Sequence, residues 1–369
     1  MNIKKILTGY SLAHFLVDMG CAMLIYHIAS YYTGSIGASP VMAVLAYDFF
    51  AFVTELPLGA VLDHISGRYD GAQISYSNKN GLIAACGCVV IAILDILAFA
   101  DIITAVAFIP VAVVLGIANA AYHLGAGIDV INLSERKASF SGIFISTGAL
   151  GLFLGTQALF MHYENLLIMG LALLCMSAYI LWEYFHETAF IQNKDDTVIK
   201  AGLSRIFLAL ALLFLVIFYR SFLGFASKYS WRSGFVIGLV ATLAVVVGKA
   251  AGGIIADRFG WKRTIMASML VCAVLAVFSD ASAIAGCLML LLFNMTMPIA
   301  MIGLANLLPP WKGVAFGLNT VALFLGFVTY RMVKIPVSGV MLGALILLSV
   351  VILLTAMHIA PDMERGWDN

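Results

Sequence analysis

Twelve apolar runs, each about twenty residues long, decide what this chain can become. A helix of that length crosses the hydrocarbon core of a bilayer and satisfies its own backbone there. The spans are expected near residues 6–30, 40–62, 81–100, 102–127, 138–160, 165–187, 204–226, 234–256, 264–280, 282–305, 311–332 and 336–359. Of the 369 residues, 63% are hydrophobic and 11% charged. Soluble domains carry about 25% charged residues, so this chain has too little polar surface to face water all round. The expected fold class is an all-α membrane protein.

The first run follows Lys4 and Lys5 and superficially resembles a signal peptide. It lacks a small-residue cleavage pattern and carries Asp18 in its middle, so it is read as the first helix. Six cysteines, Cys21, Cys86, Cys88, Cys175, Cys272 and Cys287, all sit inside apolar runs and read as packing residues rather than metal ligands or disulfides. A net charge of +1, without a basic patch interleaved with aromatics, gives no sign of a nucleic-acid partner. Cations collect at the amino terminus and in the even-to-odd connections (Lys4, Lys5, Arg68, Lys79, Arg136, Lys137, Arg258, Lys262, Arg263). Only Lys228, Arg232, Arg331 and Lys334 fall on the other side, an asymmetry that places both termini in the cytoplasm.

The chain reads as two halves. GKAAGGIIADRFGWKR, Gly248 to Arg263, closes a long apolar run with a glycine pair, an acid and a cluster of charge. Its echo is ELPLGAVLDHISGR, Glu55 to Arg68. In each copy the acid follows another ionisable residue by eight positions, Glu55 before Asp63 and Lys249 before Asp257. A second internal match pairs NLSERKASFSGIFISTGALGLFLG from Asn132 with NLLPPWKGVAFGLNTVALFLG from Asn306. The expected domains are therefore a six-helix bundle over 1–187, a linker over 188–203 and a second six-helix bundle over 204–369.

The later loop, with Gly252, Gly253, Asp257, Arg258, Gly260, Lys262 and Arg263, resembles the cytoplasmic-loop signature of the major facilitator superfamily. The earlier copy departs from it, with His64 where arginine is expected. The resemblance implies two pseudo-symmetric bundles with a site at the midplane. It also implies a gating role for Asp63, Arg68, Gly253, Asp257, Arg258 and Arg263. AHFLVD, YRSF and AYHLGAG are loosely similar to the branch containing fosmidomycin-resistance exporters, although Thr147-Gly148 lacks the proline of the antiporter signature.

A charge near the bilayer centre costs about 2.5–3.5 kcal/mol on insertion scales, so a charged residue there faces protein or water. Asp18 lies about 18 Å along the first span and Arg220 about 24 Å along the seventh, at 1.5 Å per residue. Asp18 is a candidate proton or cation carrier, and Arg220, with its permanently charged fork, a candidate anchor for an anionic group. A structural ion pair that only holds helices together is the alternative. His14, four residues before Asp18, shares its helix face and is a candidate relay; headgroup placement is the other reading. Asn119 and His123 share a face of the fourth span, and Gly125 and Gly127 beyond them are expected to pack against glycines of the fifth. Glu55 and Lys249 are candidates for closing the halves, and Asp48 and Arg331 for an outer gate. Asn294, Thr296 and Pro298 are expected to bend the tenth span.

The function expected is secondary active transport of a small organic, anionic solute by alternating access, coupled to protons, with export placed ahead of nutrient uptake and a transporter-like receptor as the remaining alternative. An enzyme is not expected, since the histidines show no ligand or catalytic pattern. No cofactor is expected. The partners are solute, protons and the lipid of the plasma (inner) membrane, with the chain a monomer.

Overall fold

The structure is a computed structural model and describes residues 2–31, 40–65, 78–103, 107–160, 162–191 and 199–364. In chain order the helices are α1 (Ile3–Tyr31), α2 (Pro40–Val53), α3 (Glu55–Ile65), α4 (Asn80–Phe99), α5 (Phe108–Leu133), α6 (Ala138–Gly155) and α7 (Glu164–His186). They continue as α8 (Leu203–Ala226), α9 (Phe235–Phe259), α10 (Trp261–Phe278), α11 (Ala283–Asn294), α12 (Met297–Leu307), α13 (Lys312–Val333) and α14 (Gly339–Ile359). Among the described residues these make 12 spans long and apolar enough to cross a membrane.

Two spans are each built from two helices, and both interruptions have the same cause. Proline has no N–H for the carbonyl four residues earlier. Pro57 removes the partner of Val53, where α2 ends; Pro298 removes the partner of Asn294, where α11 ends. The tenth span thus breaks where its proline predicts, and the second breaks in the same way without having been expected to.

Glycine sets the sharpest reversal. Gly260 is the single residue between α9 and α10, with φ of 91°, a backbone region that a Cβ disfavours. Ser282 starts α11 in a different way, its hydroxyl accepting from the Ala285 amide at 3.3 Å.

The chain groups into two compact units, Met1–Val130 with Thr147–Asn193, and Ile131–Ser146 with Lys194–Asn369. In the first unit α4 packs along α7, and α1 lies against α7, α2 and α4. Ala13, Val17, Cys21, Leu24 and Ile28 form the buried stripe of α1, at the spacing of one helix face. In the second unit α8 lies against α13 and α14, α10 against α11 and α14, and α9 against α11. The opposite faces stay apolar: α14 buries Leu342, Ile346 and Leu353 yet exposes Val340, Leu347 and Val351. A helix that is apolar all round needs lipid on the side that protein leaves bare.

Two expectations are corrected. Gly125 packs against the third span rather than the fifth, because its missing Cβ makes room for the Asn80 carbonyl and Ala84 of α4. The fourth span runs to Leu133 instead of ending at 127, because Asp129 is satisfied inside it. Its carboxylate accepts from Tyr10 Oη at 2.8 Å, Asn78 Nδ2 at 2.6 Å and Asn80 Nδ2 at 2.9 Å. A buried carboxylate with three donors no longer needs water, so the helix can continue past it.

A short segment after α14 ties the second unit together. Asp362 is buried, and its Oδ2 accepts from the amides of Lys200 and Ala201 at 3.0 and 3.2 Å. Arg136 donates to the Asp362 carbonyl at 2.6 Å and Asn306 to the Met363 carbonyl at 2.9 Å. Glu364 Oε1 accepts from the Trp261 amide at 2.8 Å, at the start of α10, where a negative charge suits the helix dipole.

Candidate functional site

The first unit holds a cluster of three ionisable side chains among apolar helices. His14 and Asp18, four residues apart on α1, share one face, and Asp18 Oδ2 lies 3.3 Å from His14 Nε2. From α5, His123 Nε2 lies 3.3 Å from Asp18 Oδ1 and 2.8 Å from His14 Nε2. The side chains of Asp18 and His123 keep 20% and 14% of their exposure, so the cluster is enclosed yet reachable.

Its protonation state can be reasoned from partners. His123 Nδ1 lies 3.0 Å from the Asn119 carbonyl, which can only accept, so Nδ1 carries a proton. When His123 is neutral its Nε2 therefore presents a lone pair toward His14 and toward the Asp18 carboxylate. The carboxylate is balanced only when the three groups together hold a cation. Gly148 of α6 leaves the space the cluster occupies: a Cβ there would overlap Asp18 Oδ2 and His14 Nε2. The Asn119 carbonyl is the main-chain one, aimed by the helix itself, while the Asn119 side chain donates to Cys21 Sγ at 3.5 Å.

In the second unit Arg220 is buried on α8, at the break between α11 and α12. One amino group donates to Thr296 Oγ1 and the other to the Phe293 carbonyl, and the guanidinium lies 4.3 Å from the Phe293 ring centroid. Among the described residues no carboxylate forms an ion pair with Arg220. The side chain thus has a structural task, capping the interrupted helix, while its charge is met by neutral groups. Asn294 was expected to serve the broken span and bonds the Leu290 carbonyl one turn earlier, at 2.8 Å.

Asp257 accepts from the start of another helix. Oδ1 accepts from the Ala138 amide at 2.9 Å and Oδ2 from the Ser139 amide at 2.7 Å, placing a carboxylate on the first turn of α6. Gly253 makes the approach possible, since a Cβ there would meet the Ala138 carbonyl. Its neighbours Gly248 and Gly252 face Leu291 and Met295, at the end of α11. Lys249 Nζ donates to the Ile145 carbonyl of α6 at 3.3 Å.

Arg258 and Arg263 are exposed, Arg258 with its guanidinium 5.4 Å from the Phe259 ring centroid. Glu55 is buried at the first position of α3, and Asp63 is half-buried near its end; Arg68 lies outside the described residues. Asp48 is half-buried on α2, and Arg331 is exposed on α13 with Phe327 6.0 Å beneath it.

Asp95 of α4 was missed. It is fully buried, neither carboxyl oxygen has a hydrogen-bond partner among the described residues, and one of them lies against Gly20. An acid inside an apolar run was the signal that singled out Asp18, and it applies equally here. The Asp129 network was also missed, since Tyr10 and Asn78 are remote in sequence.

Among solved structures the chain is similar to the E. coli fucose:proton symporter FucP, with a TM-score of 0.61, 12% identity, and 95% of this chain and 98% of that chain covered. No protein-family model matches the sequence. No curated protein matches it either. The chain has the major facilitator fold.

Proposed function

We propose that the protein is a secondary active transporter that moves a small organic solute across a membrane by alternating access, coupled to protons. The observation that carries this reading is the enclosed His14–Asp18–His123 cluster, a set of groups that can take up one cation. Asp18 and the two imidazoles hold the proton. The uncompensated charge of Arg220 attracts an anionic group of the solute, since a buried guanidinium without a carboxylate gains most from an anion that fits its fork. Asp257 on the first turn of α6, with Gly253 and Lys249, holds one conformation and releases it in the other. Asp63, Arg68, Arg258 and Arg263, the other charges of the two matching sequence motifs, take part in the same gating. The bundles are residues 1–187 and 204–369, joined by 188–203, in a plasma-membrane monomer with cytoplasmic termini.

The likeness to a fucose:proton symporter supports coupling to protons and leaves the solute of this chain to experiment. Purified protein is screened by thermal shift against solute libraries at two pH values, because ligands stabilise the folded form by mass action. Hits are then tested in proteoliposomes under an imposed pH gradient, in both orientations, which also separates export from uptake. Flux that follows the gradient is expected; a broad library without gradient-driven flux would sink the reading.

A further inference from the structure

The cluster of the first unit has a donor set that suits more than a proton. Two imidazole nitrogens and a carboxylate converge, with their ligand atoms all within 4.8 Å of one another. A tetrahedral ion with bonds of about 2.1 Å holds its donors about 3.4 Å apart. Both nitrogen-to-carboxylate separations are 3.3 Å, and the two ring nitrogens, at 2.8 Å, need to part by only a little. The Asn119 carbonyl on His123 Nδ1 is the outer contact that aims a metal-binding imidazole and leaves its Nε2 lone pair free to ligate. Gly148 keeps the fourth side clear of side chain.

We propose that His14, Asp18 and His123 form a binding site for a divalent first-row transition metal ion of the Zn2+ type. The proposal rests on reading the cluster as a cation site and names a second cation for it. Imidazole and carboxylate together select Zn2+, Co2+ or Ni2+ over Mg2+ and Ca2+, which prefer all-oxygen sites. Three protein ligands leave one position for water or a solute donor atom. Binding releases the proton between the two ring nitrogens to solvent, so metal and proton exclude one another.

The test uses the purified full chain in detergent with Co2+, whose visible absorption reports nitrogen and oxygen coordination. The wild type is expected to take up Co2+ with visible bands, to lose them when Zn2+ is added and to keep them in excess Mg2+. His123→Gln removes a ligand and abolishes the bands. Gly148→Ala keeps all three ligands, crowds their common space and weakens binding. Asp18→Asn removes the charged ligand and lowers affinity by at least about 10-fold. Absence of bands in the folded wild type, or equal bands in His123→Gln, overturns the site. The outcome is independent of flux: proton-driven transport without Co2+ binding removes the metal alone, and Co2+ binding without any flux removes the transport reading alone.

Discussion

His14 and His123 meet through their Nε2 atoms at 2.8 Å, a separation at which two facing lone pairs would repel, so a proton lies between them. Asp18 reaches both rings, one carboxyl oxygen to each. Removing its charge leaves the pair without a counter-ion and the site without a reason to take up a further cation. Asp18→Asn is therefore expected to abolish gradient-driven flux in proteoliposomes while the protein purifies as a folded monodisperse species. Normal coupled flux in that variant would exclude Asp18 from the coupling step.

Arg220 has two tasks that one substitution can separate. Arg220→Lys keeps a positive charge but loses the planar fork, so it can no longer serve Thr296 and the Phe293 carbonyl together. A stability loss of about 1–3 kcal/mol is expected from the carbonyl left unsatisfied, read as a lowered unfolding midpoint. The affinity for an anionic solute is expected to fall as well. A lowered midpoint with unchanged affinity would confine Arg220 to helix capping.

Asp257→Asn retains the shape of the side chain but removes the charge from the first turn of α6. The expected cost is about 1 kcal/mol, with faster hydrogen exchange at the Ala138 and Ser139 amides. Exchange at those two amides equal to the wild type would show that the carboxylate contacts do not hold in solution.

Among the described residues Asp95 lacks the partners that a buried acid normally has. Asp95→Val replaces it with an apolar side chain of similar size and is expected to raise stability by about 1–3 kcal/mol, the desolvation cost of the unsatisfied group. The unfolding midpoint measures this directly. A stabilised variant that no longer transports would assign Asp95 a part in the cycle, and a destabilised one would mean that the acid finds a partner in another conformation.

Span number and the coarse position of most spans were readable in the sequence because hydropathy over about twenty residues is a strong local signal. Asp18 and His14 were readable for a related reason: a costly charge in an apolar run, with a second ionisable group on the same face. Their meeting with His123 was not, since nothing local tells how α1 crosses α5. The capping task of Arg220 was hidden because the Phe293 carbonyl it serves lies at the α11–α12 break, far along the chain. The tenth span broke at a proline that was noticed; the second broke at Pro57, which obeys the same rule and was overlooked. Gly148 was read as a packing glycine of the fifth span, and only the tertiary fold shows that it faces the cluster.

The segment Pro361–Glu364 also has a consequence for the order in which the protein is made. The residues it fastens, Arg136, Lys200, Ala201, Trp261 and Asn306, all leave the ribosome before it does. These distant connections therefore form only once the clasp has joined the rest of the chain. A chain cut before Pro361 leaves the Lys200, Ala201 and Trp261 amides without these acceptors, so its loops would open to proteases sooner than those of the intact protein.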